Sequence, residues 1–375
     1  MPIAPELLAL NLKDLALDEL AATLRPHGVS DETARKLFAA VFAHGVDDPR
    51  SLRTNPHIPR RLRLQLEELS EIPSLAVVER RRAGDGFVKY LFESPLGGRF
   101  EAVKIPLFDT KCVVCVSSQV GCALACDFCM TGRIGFERNL RTWEIVDQVM
   151  RIRAEADRPV RGVVFMGMGE PFLNYEASLR AARILSHPAG LSISAKAITF
   201  STVGIVPAIR RFTREPGDFR LAVSLTSAIP EKRASLLPVE RTYPIPELIA
   251  AIREHAAARR ERAMIAYVMI RGWNTGREDA AALRDAFDGI PIKLDLIEVT
   301  DPTGRYLPPT LDELSAFRDH LQILRAPIVR RYSGGKEIGA ACGTLAASQY
   351  GGQVVSAPRR APIATPIPES MPAPI

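Results

Sequence analysis

The segment from Cys112 to Gly132 reads CVVCVSSQVGCALACDFCMTG and holds five of the six cysteines in the 375-residue chain. A local density of thiols this high constrains the fold around it, and two spacings are superimposed in it. Cys112-x2-Cys115 followed by Cys126-x2-Cys129 supplies the four ligands of a tetrahedral structural zinc, with a gap between the pairs shorter than zinc ribbons use and with Cys122 left over. Cys122-x3-Cys126-x2-Cys129 is instead a compact triplet able to hold three irons of a four-iron four-sulfur cluster, which is bound by thiolates on short loops. The fourth iron would then lack a protein ligand and be open to a small molecule. Buried, merely redox-tolerant thiols are a third reading, and spacing alone does not choose among the three.

The flanking residues add a resemblance. Cys115-Val-Ser-Ser-Gln-Val-Gly-Cys122-Ala-Leu-Ala-Cys126-Asp-Phe-Cys129 resembles the signature of the RlmN/Cfr family of radical S-adenosylmethionine RNA methyltransferases. The likeness continues, in the family's order, through Gly167-Met-Gly169-Glu170-Pro171, Ser201-Thr202 before Gly204, Ser224-Leu225, and Ala340-Ala-Cys342-Gly-Thr-Leu345. It implies a 4Fe-4S cluster on Cys122, Cys126 and Cys129 and S-adenosyl-L-methionine as cofactor, contacted by Gly169, Glu170, Ser201, Ser224, Leu225 and Thr226. It also implies methylation of an adenosine carbon, C2 in preference to C8. That carbon is electron-poor and cannot attack a sulfonium methyl as a nitrogen would, so a radical route is needed and the cofactor supplies the hard chemistry.

By the same resemblance Cys342 carries the methyl from one S-adenosylmethionine, and a radical made from a second activates it. Cys115 is the resolving thiol, closing a transient disulfide with Cys342, because thiolate attack on the carrier sulfur can release the product. Glu101, in Phe100-Glu-Ala-Val-Lys-Ile-Pro106, matches the family's proton acceptor. Each position has a plainer alternative: a lone cysteine is often a small buried hydrophobe, strand-end serines often cap turns, and a strand glutamate is often simply exposed. Two departures stand out. Thr226 replaces the family's His after Ser-Leu, and Thr300 stands where an Asn is expected, so the nucleotide target does not follow from the motifs. Cys112 is an additional thiol.

Most of the chain reads as repeated βα units. Strand patterns at Cys112 to Val116, Gly162 to Met166, Ala197 to Ser201, Arg220 to Leu225, Met264 to Ile270 and Ile292 to Glu298 alternate with helical patterns, and Ile328 to Tyr332 is a possible addition. The helical patterns include one capped by Thr142, Tyr175 to Leu185, Ile245 to Arg260, and Asp279 to Phe287. Repeated βα units give a parallel sheet with helices outside. The fold class is α/β, and the resemblance narrows it to a partial (β/α)6 radical-SAM barrel over 112–350. Ahead of it come a small helical N-terminal domain, 1–72, which the resemblance implies helps hold RNA, and a short β meander, 73–111, with turns at Gly84-Asp85-Gly86 and Pro95-Leu-Gly97-Gly98. Residues 351–375 form a proline-rich tail expected to be disordered.

With 47% hydrophobic and 25% charged residues the composition is that of an ordinary globular protein, and no apolar run is long enough to cross a membrane. The bunched cysteines do not resemble a secreted disulfide framework. A cytoplasmic monomer with no membrane association is expected. The net charge of +6 favours an anionic partner, and Arg60, Arg61 and Arg63 are candidate phosphate contacts, although a solvated helix face would carry the same residues. Ribosomal or transfer RNA is the partner that the resemblance implies, together with an electron donor such as flavodoxin or ferredoxin. The rival readings are a radical S-adenosylmethionine enzyme with a non-RNA substrate and a zinc-bound nucleic-acid-binding protein without catalysis.

Overall fold

The apolar spacing near the N-terminus produces three helices whose buried faces join the core of the rest of the molecule. The computed structural model describes residues 10–346; the proline-rich tail expected over 351–375 lies outside them. After β1 (Leu10–Asn11) come α1 (Leu17–Leu24), α2 (Asp31–Phe42) and α3 (Arg60–Leu69). Leu20 and Leu24 of α1 and Leu37, Phe38 and Val41 of α2 are buried together. Ser30 caps α2 by accepting from the Thr33 amide, which satisfies one of the helix's unpaired donors. The unit closes where β2 (Ser70–Glu71) pairs in parallel with β1. Two-residue pairings of this kind carry no periodic signal, and the sequence reading did not include them.

The meander forms as its turns require. β3 (Ala76–Arg82), β4 (Val88–Glu93) and β5 (Arg99–Leu107) pair antiparallel in succession. They are not a separate attachment, because β5 also pairs antiparallel with β6 (Lys111–Cys115) and so extends the main sheet. A small hairpin of β7 (Gln119–Gly121) and β8 (Phe136–Asn139) brackets α4 (Met130–Ile134). Next come α5 (Thr142–Glu155), β9 (Val160–Phe165), α6 (Tyr175–Ser186), β10 (Ile198–Thr202), α7 (Val206–Arg214) and β11 (Arg220–Ser224). The remainder is α8 (Pro230–Leu236), α9 (Ile245–Arg259), β12 (Ala263–Met269), α10 (Arg277–Ala286), β13 (Ile292–Glu298), α11 (Leu311–His320) and β14 (Ile328–Arg330).

The large sheet has ten strands in the order β14-β13-β12-β11-β10-β9-β6-β5-β4-β3. Strands β6 and β9 to β13 are parallel, and they are the six strands of the partial barrel, with β14 added in parallel at the edge. Strand interiors such as Val163, Phe200, Ala222, Ile265 and Leu294 are fully buried, as strands covered on both faces require. One local expectation needs correction. Thr142 does not cap α5: it is the first helical residue, Arg141 is the cap position, and Glu144 accepts the Arg141 amide at 2.7 Å. The Thr142 hydroxyl is buried and has no partner.

The helical unit is fastened to the barrel by a buried ion pair. Lys13 Nζ lies 2.7 Å from Asp147 Oδ1 on α5, with both side chains almost wholly covered, and it also donates to the Pro73 carbonyl.

Candidate active site

The parallel strands all end on one side of the sheet, and a cavity opens there. Its wall is supplied in turn by Gly167, Gly169 and Glu170 after β9, Ser201 and Thr202 from β10, Ser224 from β11, Ala266 from β12 and Thr300 after β13. Arg331 follows β14, and Cys126, Cys129 and Cys342 complete the rim. Carboxyl-terminal strand ends are where barrel folds of this type place their chemistry.

The Gly-Met-Gly-Glu turn is shaped by close backbone approach. A Cβ on Gly167 would meet the Val116 carbonyl oxygen at 2.6 Å, and one on Gly169, whose φ is +95°, would meet Gln119 Cβ at 2.5 Å. This packing lets Gln119 Oε1 accept the Glu170 amide at 2.9 Å. The Glu170 carboxylate is buried and accepts from the Phe172 and Val203 amides, each at 3.0 Å. Burial nevertheless pushes its pKa up to about 7, with the Val203 and Phe172 amides and the Thr202 hydroxyl pulling the other way. A carboxylate held this close to neutrality gains from an ammonium partner.

The three cysteines of the triplet lie behind the same opening. Ala125, at φ 51°, turns the chain between Cys122 and Cys126, and the Cys129 amide donates to the Cys126 carbonyl. Burial raises Cys122 to about 12 and lifts Cys126 and Cys129 as well, and Cys126 feels both of the others. Arg233 beside Cys126 and Arg133 beside Cys129 oppose the shift. Soft sulfur donors that burial keeps protonated, all on one short loop, fit an iron-sulfur cluster whose positive irons would ionise them.

The paired-knuckle zinc set is not assembled. Cys112 sits near the opposite end of β6, paired with Pro106, and its buried thiol donates to the Arg158 carbonyl. Among the described residues no three His, Cys, Asp or Glu side chains converge as a single-ion site requires.

Cys115 ends β6 as a buried thiol. Its pKa is pushed up to about 12, first by burial and then by Cys342, while Arg331 and the Met166 amide act in the opposite sense. All six cysteines are free thiols, and Cys342 is the exposed one. Cys342 lies on a long loop whose amide donates to Ser333 Oγ at 3.0 Å, and the next residue, Gly343, accepts the Met130 amide from α4. The carrier candidate therefore stands against the segment that follows the cysteine triplet.

The remaining expected residues are placed as follows. Ser201 and Ser224 face one another with hydroxyls 3.4 Å apart on the cavity wall. Leu225 and Thr226 lie behind it: Leu225 is fully covered, and Thr226 adopts φ 63° with its carbonyl accepting from Asn274. The hydroxyls of Thr226 and Thr300 are both buried without a partner. Glu101 lies on β5, buried, 3.1 Å from Lys89 Nζ and accepting the Ala346 amide at 2.7 Å. Sequence reasoning missed Gln119, which sat unassigned inside the quoted motif. It also missed Arg331, whose neighbour Arg330 pairs with Glu298 while Arg331 has no ion pair among the described residues.

Residues 116–283 match the family described as the Radical SAM superfamily. The chain is 68% identical over 356 residues to a probable RNA methyltransferase of Myxococcus xanthus, covering 95% of this chain and 99% of that one. It is 42% identical over 343 residues to the dual-specificity RNA methyltransferase RlmN of Syntrophobacter fumaroxidans, covering 91% and 98%. Among solved structures, a radical SAM methyltransferase from Sphaerobacter thermophilus superposes with a TM-score of 0.82 at 38% identity, covering 90% of this chain and 99% of that one.

Proposed function

The chain belongs to the RlmN/Cfr family of radical SAM RNA methyltransferases, and from that premise we propose that it methylates an adenosine carbon in ribosomal or transfer RNA, C2 in preference to C8, through a methylated Cys342. One observation carries the reading: the cavity at the strand ends is lined by Cys342 together with Cys126, Cys129 and Glu170.

Each residue's part follows from its surroundings. Cys122, Cys126 and Cys129 would hold the cluster, and Glu170 would receive the cofactor's ammonium, with Gly169, Ser201 and Ser224 around it. Leu225 and Thr226 support that wall from behind. When bound, the cluster supplies the electron that splits S-adenosylmethionine into a carbon radical able to activate a methyl group. Cys342, losing its proton, first attacks the sulfonium methyl of another S-adenosylmethionine, so that a sulfur–carbon bond forms on Cys342 as the one to the departing S-adenosylhomocysteine breaks. That methyl would then give up one hydrogen atom to the radical made from the cofactor and add through carbon to the adenine, and the adduct would return one electron to the cluster. Glu101, held by Lys89 and bonded to the Ala346 amide on the same loop, takes the proton that the substituted carbon gives up. Cys115 then attacks the Cys342 sulfur. The disulfide bond forms as the sulfur–carbon bond to the product breaks, and the electron pair left on carbon takes up a proton, balancing the one Cys115 lost, to complete the methyl group. Reduction by an external thiol and an electron donor such as flavodoxin or ferredoxin would reset the enzyme in the cytoplasm.

The test is the asymmetry between the two thiols. Cys115→Ala protein expressed in cells accumulates as an RNA adduct through Cys342, because the link forms and nothing breaks it; Cys342→Ala forms no adduct. Denaturing gels with nuclease digestion and peptide mass spectrometry read both. Adducts in both variants, or on another residue, overturn the assignment. Mass spectrometry of nucleosides from ribosomal and transfer RNA, with and without the gene, distinguishes C2 from C8 and identifies the RNA.

A further inference from the structure

The loop from Tyr332 to Ala346 that bears Cys342 contains no strand and one single turn of 3-10 helix, Lys336–Ile338, so regular backbone pairing does not hold it. Besides the Met130 amide on Gly343, the Thr131 hydroxyl on the Leu345 carbonyl and Lys336 on Glu298, its anchors include a group from the meander. Asp85, in the β3–β4 turn, accepts through one oxygen from both the Tyr332 hydroxyl at 2.9 Å and the Gly335 amide at 2.8 Å. The neighbouring Gly84 amide donates to Glu337 Oε1 at 2.7 Å. The Tyr332 ring meets Phe87 edge-on with centroids 6.1 Å apart. Fit at this contact is tight: a Cβ on Gly334 would come within 2.4 Å of the Phe87 ring and 2.5 Å of Asp85 Oδ2.

These contacts reach Cys342 in two steps. Asp85 holds residues on either side of Ser333, and Ser333 Oγ accepts the Cys342 amide. We propose that Asp85 is a positioning residue for methyl transfer: the β3–β4 turn latches the Cys342 loop so that its sulfur is presented to the cavity. This rests on the reading of Cys342 as methyl carrier. Asp85 is itself exposed, so its removal opens no hole in the core. Its carboxyl is held below the usual range by the Gly335, Tyr332 and Phe87 donors, which outweigh its partial burial, as a carboxylate accepting several hydrogen bonds should be. The anchor spans parts of the chain that are far apart in sequence, and the meander thereby gains a role beyond widening the sheet.

The experiment compares wild type, Asp85→Ala and Asp85→Asn as cluster-loaded full-length protein. Two rates are measured: methylation of Cys342 by S-adenosylmethionine, and alkylation of unmethylated Cys342 by iodoacetamide, each by peptide mass spectrometry, alongside iron content and melting temperature. Asp85→Ala is expected to slow Cys342 methylation roughly ten- to hundredfold, the scale on which small misplacements of reacting groups act, and to speed alkylation severalfold. Iron content and melting temperature stay at the wild-type values. Asp85→Asn keeps an acceptor oxygen for Tyr332 and Gly335 and recovers most of both rates. Wild-type methylation and alkylation rates in Asp85→Ala overturn the latch, as does failure of Asn to rescue. Absence of a methyl on wild-type Cys342 overturns the carrier reading instead, and the alkylation arm still tests the latch by itself.

Discussion

Replacing Glu170 by Gln tests whether this carboxylate is built for an ammonium ligand. Burial raises Glu170 from 4.5 to about 7, and at about 1.36 kcal/mol per unit it disfavours the charged form by about 3 kcal/mol. The folded value lies above the unfolded one, so the residue's contribution to stability is complete below pH 4.5 and is lost as the pH rises to about 7. Gln does not titrate and keeps what wild type loses across that window, less what one missing acceptor costs: Glu170 takes the Phe172 and Val203 amides on separate oxygens, and Gln offers a single carbonyl. The ligand reverses the preference. A bound ammonium favours the carboxylate, so below pH 7 wild type must release a proton to bind, and affinity falls toward a limit of about tenfold per pH unit. At pH 8 the variant, lacking a charge-assisted hydrogen bond worth about 1.5–3 kcal/mol, binds roughly ten- to hundredfold more weakly and with no pH slope. Anaerobic calorimetry with S-adenosylmethionine from pH 5.5 to 8.5 measures both. Equal affinities at pH 8, or a flat wild-type profile, refute the reasoning.

Alanine at Cys122, Cys126 or Cys129 abolishes iron binding, whereas Cys112→Ala leaves the iron intact, since that thiol sits near the far end of β6 against Arg158; iron analysis of anaerobically purified variants decides. Removing Arg60, Arg61 and Arg63 from the start of α3 weakens RNA binding more at low salt than at high salt and leaves cleavage of S-adenosylmethionine unchanged; binding titrations at two salt concentrations measure this, and an unchanged RNA affinity would remove α3 from the interface.

The cysteine spacing, the Gly-Met-Gly-Glu turn and the alternation of strands with helices are local patterns, and the structure carries all three. Much of what the sequence left unread was non-local. Nothing in Phe100 to Pro106 says that β5 will pair with β6 and make the meander one edge of the barrel sheet, because a strand pattern does not name its partner. Strand alternation separates Ser224, on the cavity wall, from Leu225, buried behind it, yet a motif match treats both as contacts. Thr142 has the chemistry of a helix cap, but the helix starts at Thr142 itself, and Glu144, three residues after the cap residue Arg141, does the capping work. Asp85 reads as a turn residue between two glycines. Its second task, holding Tyr332 and Gly335, becomes visible only when the chain has brought distant segments together.

The two outlying thiols differ in a way that orders the proposed reaction. Cys115 is fixed at the end of a buried strand, and burial pushes its thiol up to about 12, so little of it is ionised near neutral pH. It is therefore a poor nucleophile at rest, which protects the free Cys342 from premature disulfide formation in the presence of an oxidant. Cys342 is exposed, and in the proposed reaction it meets the sulfonium first. Once it is alkylated its sulfur is a thioether, which a thiol does not attack until the attached carbon can leave with the electron pair. Release then needs Cys115 to ionise, and Arg331, a cation on the cavity wall without an ion pair among the described residues, is the charged side chain that favours it. In the proposed reaction Arg331 would connect the release step to the cavity that Cys342 also lines.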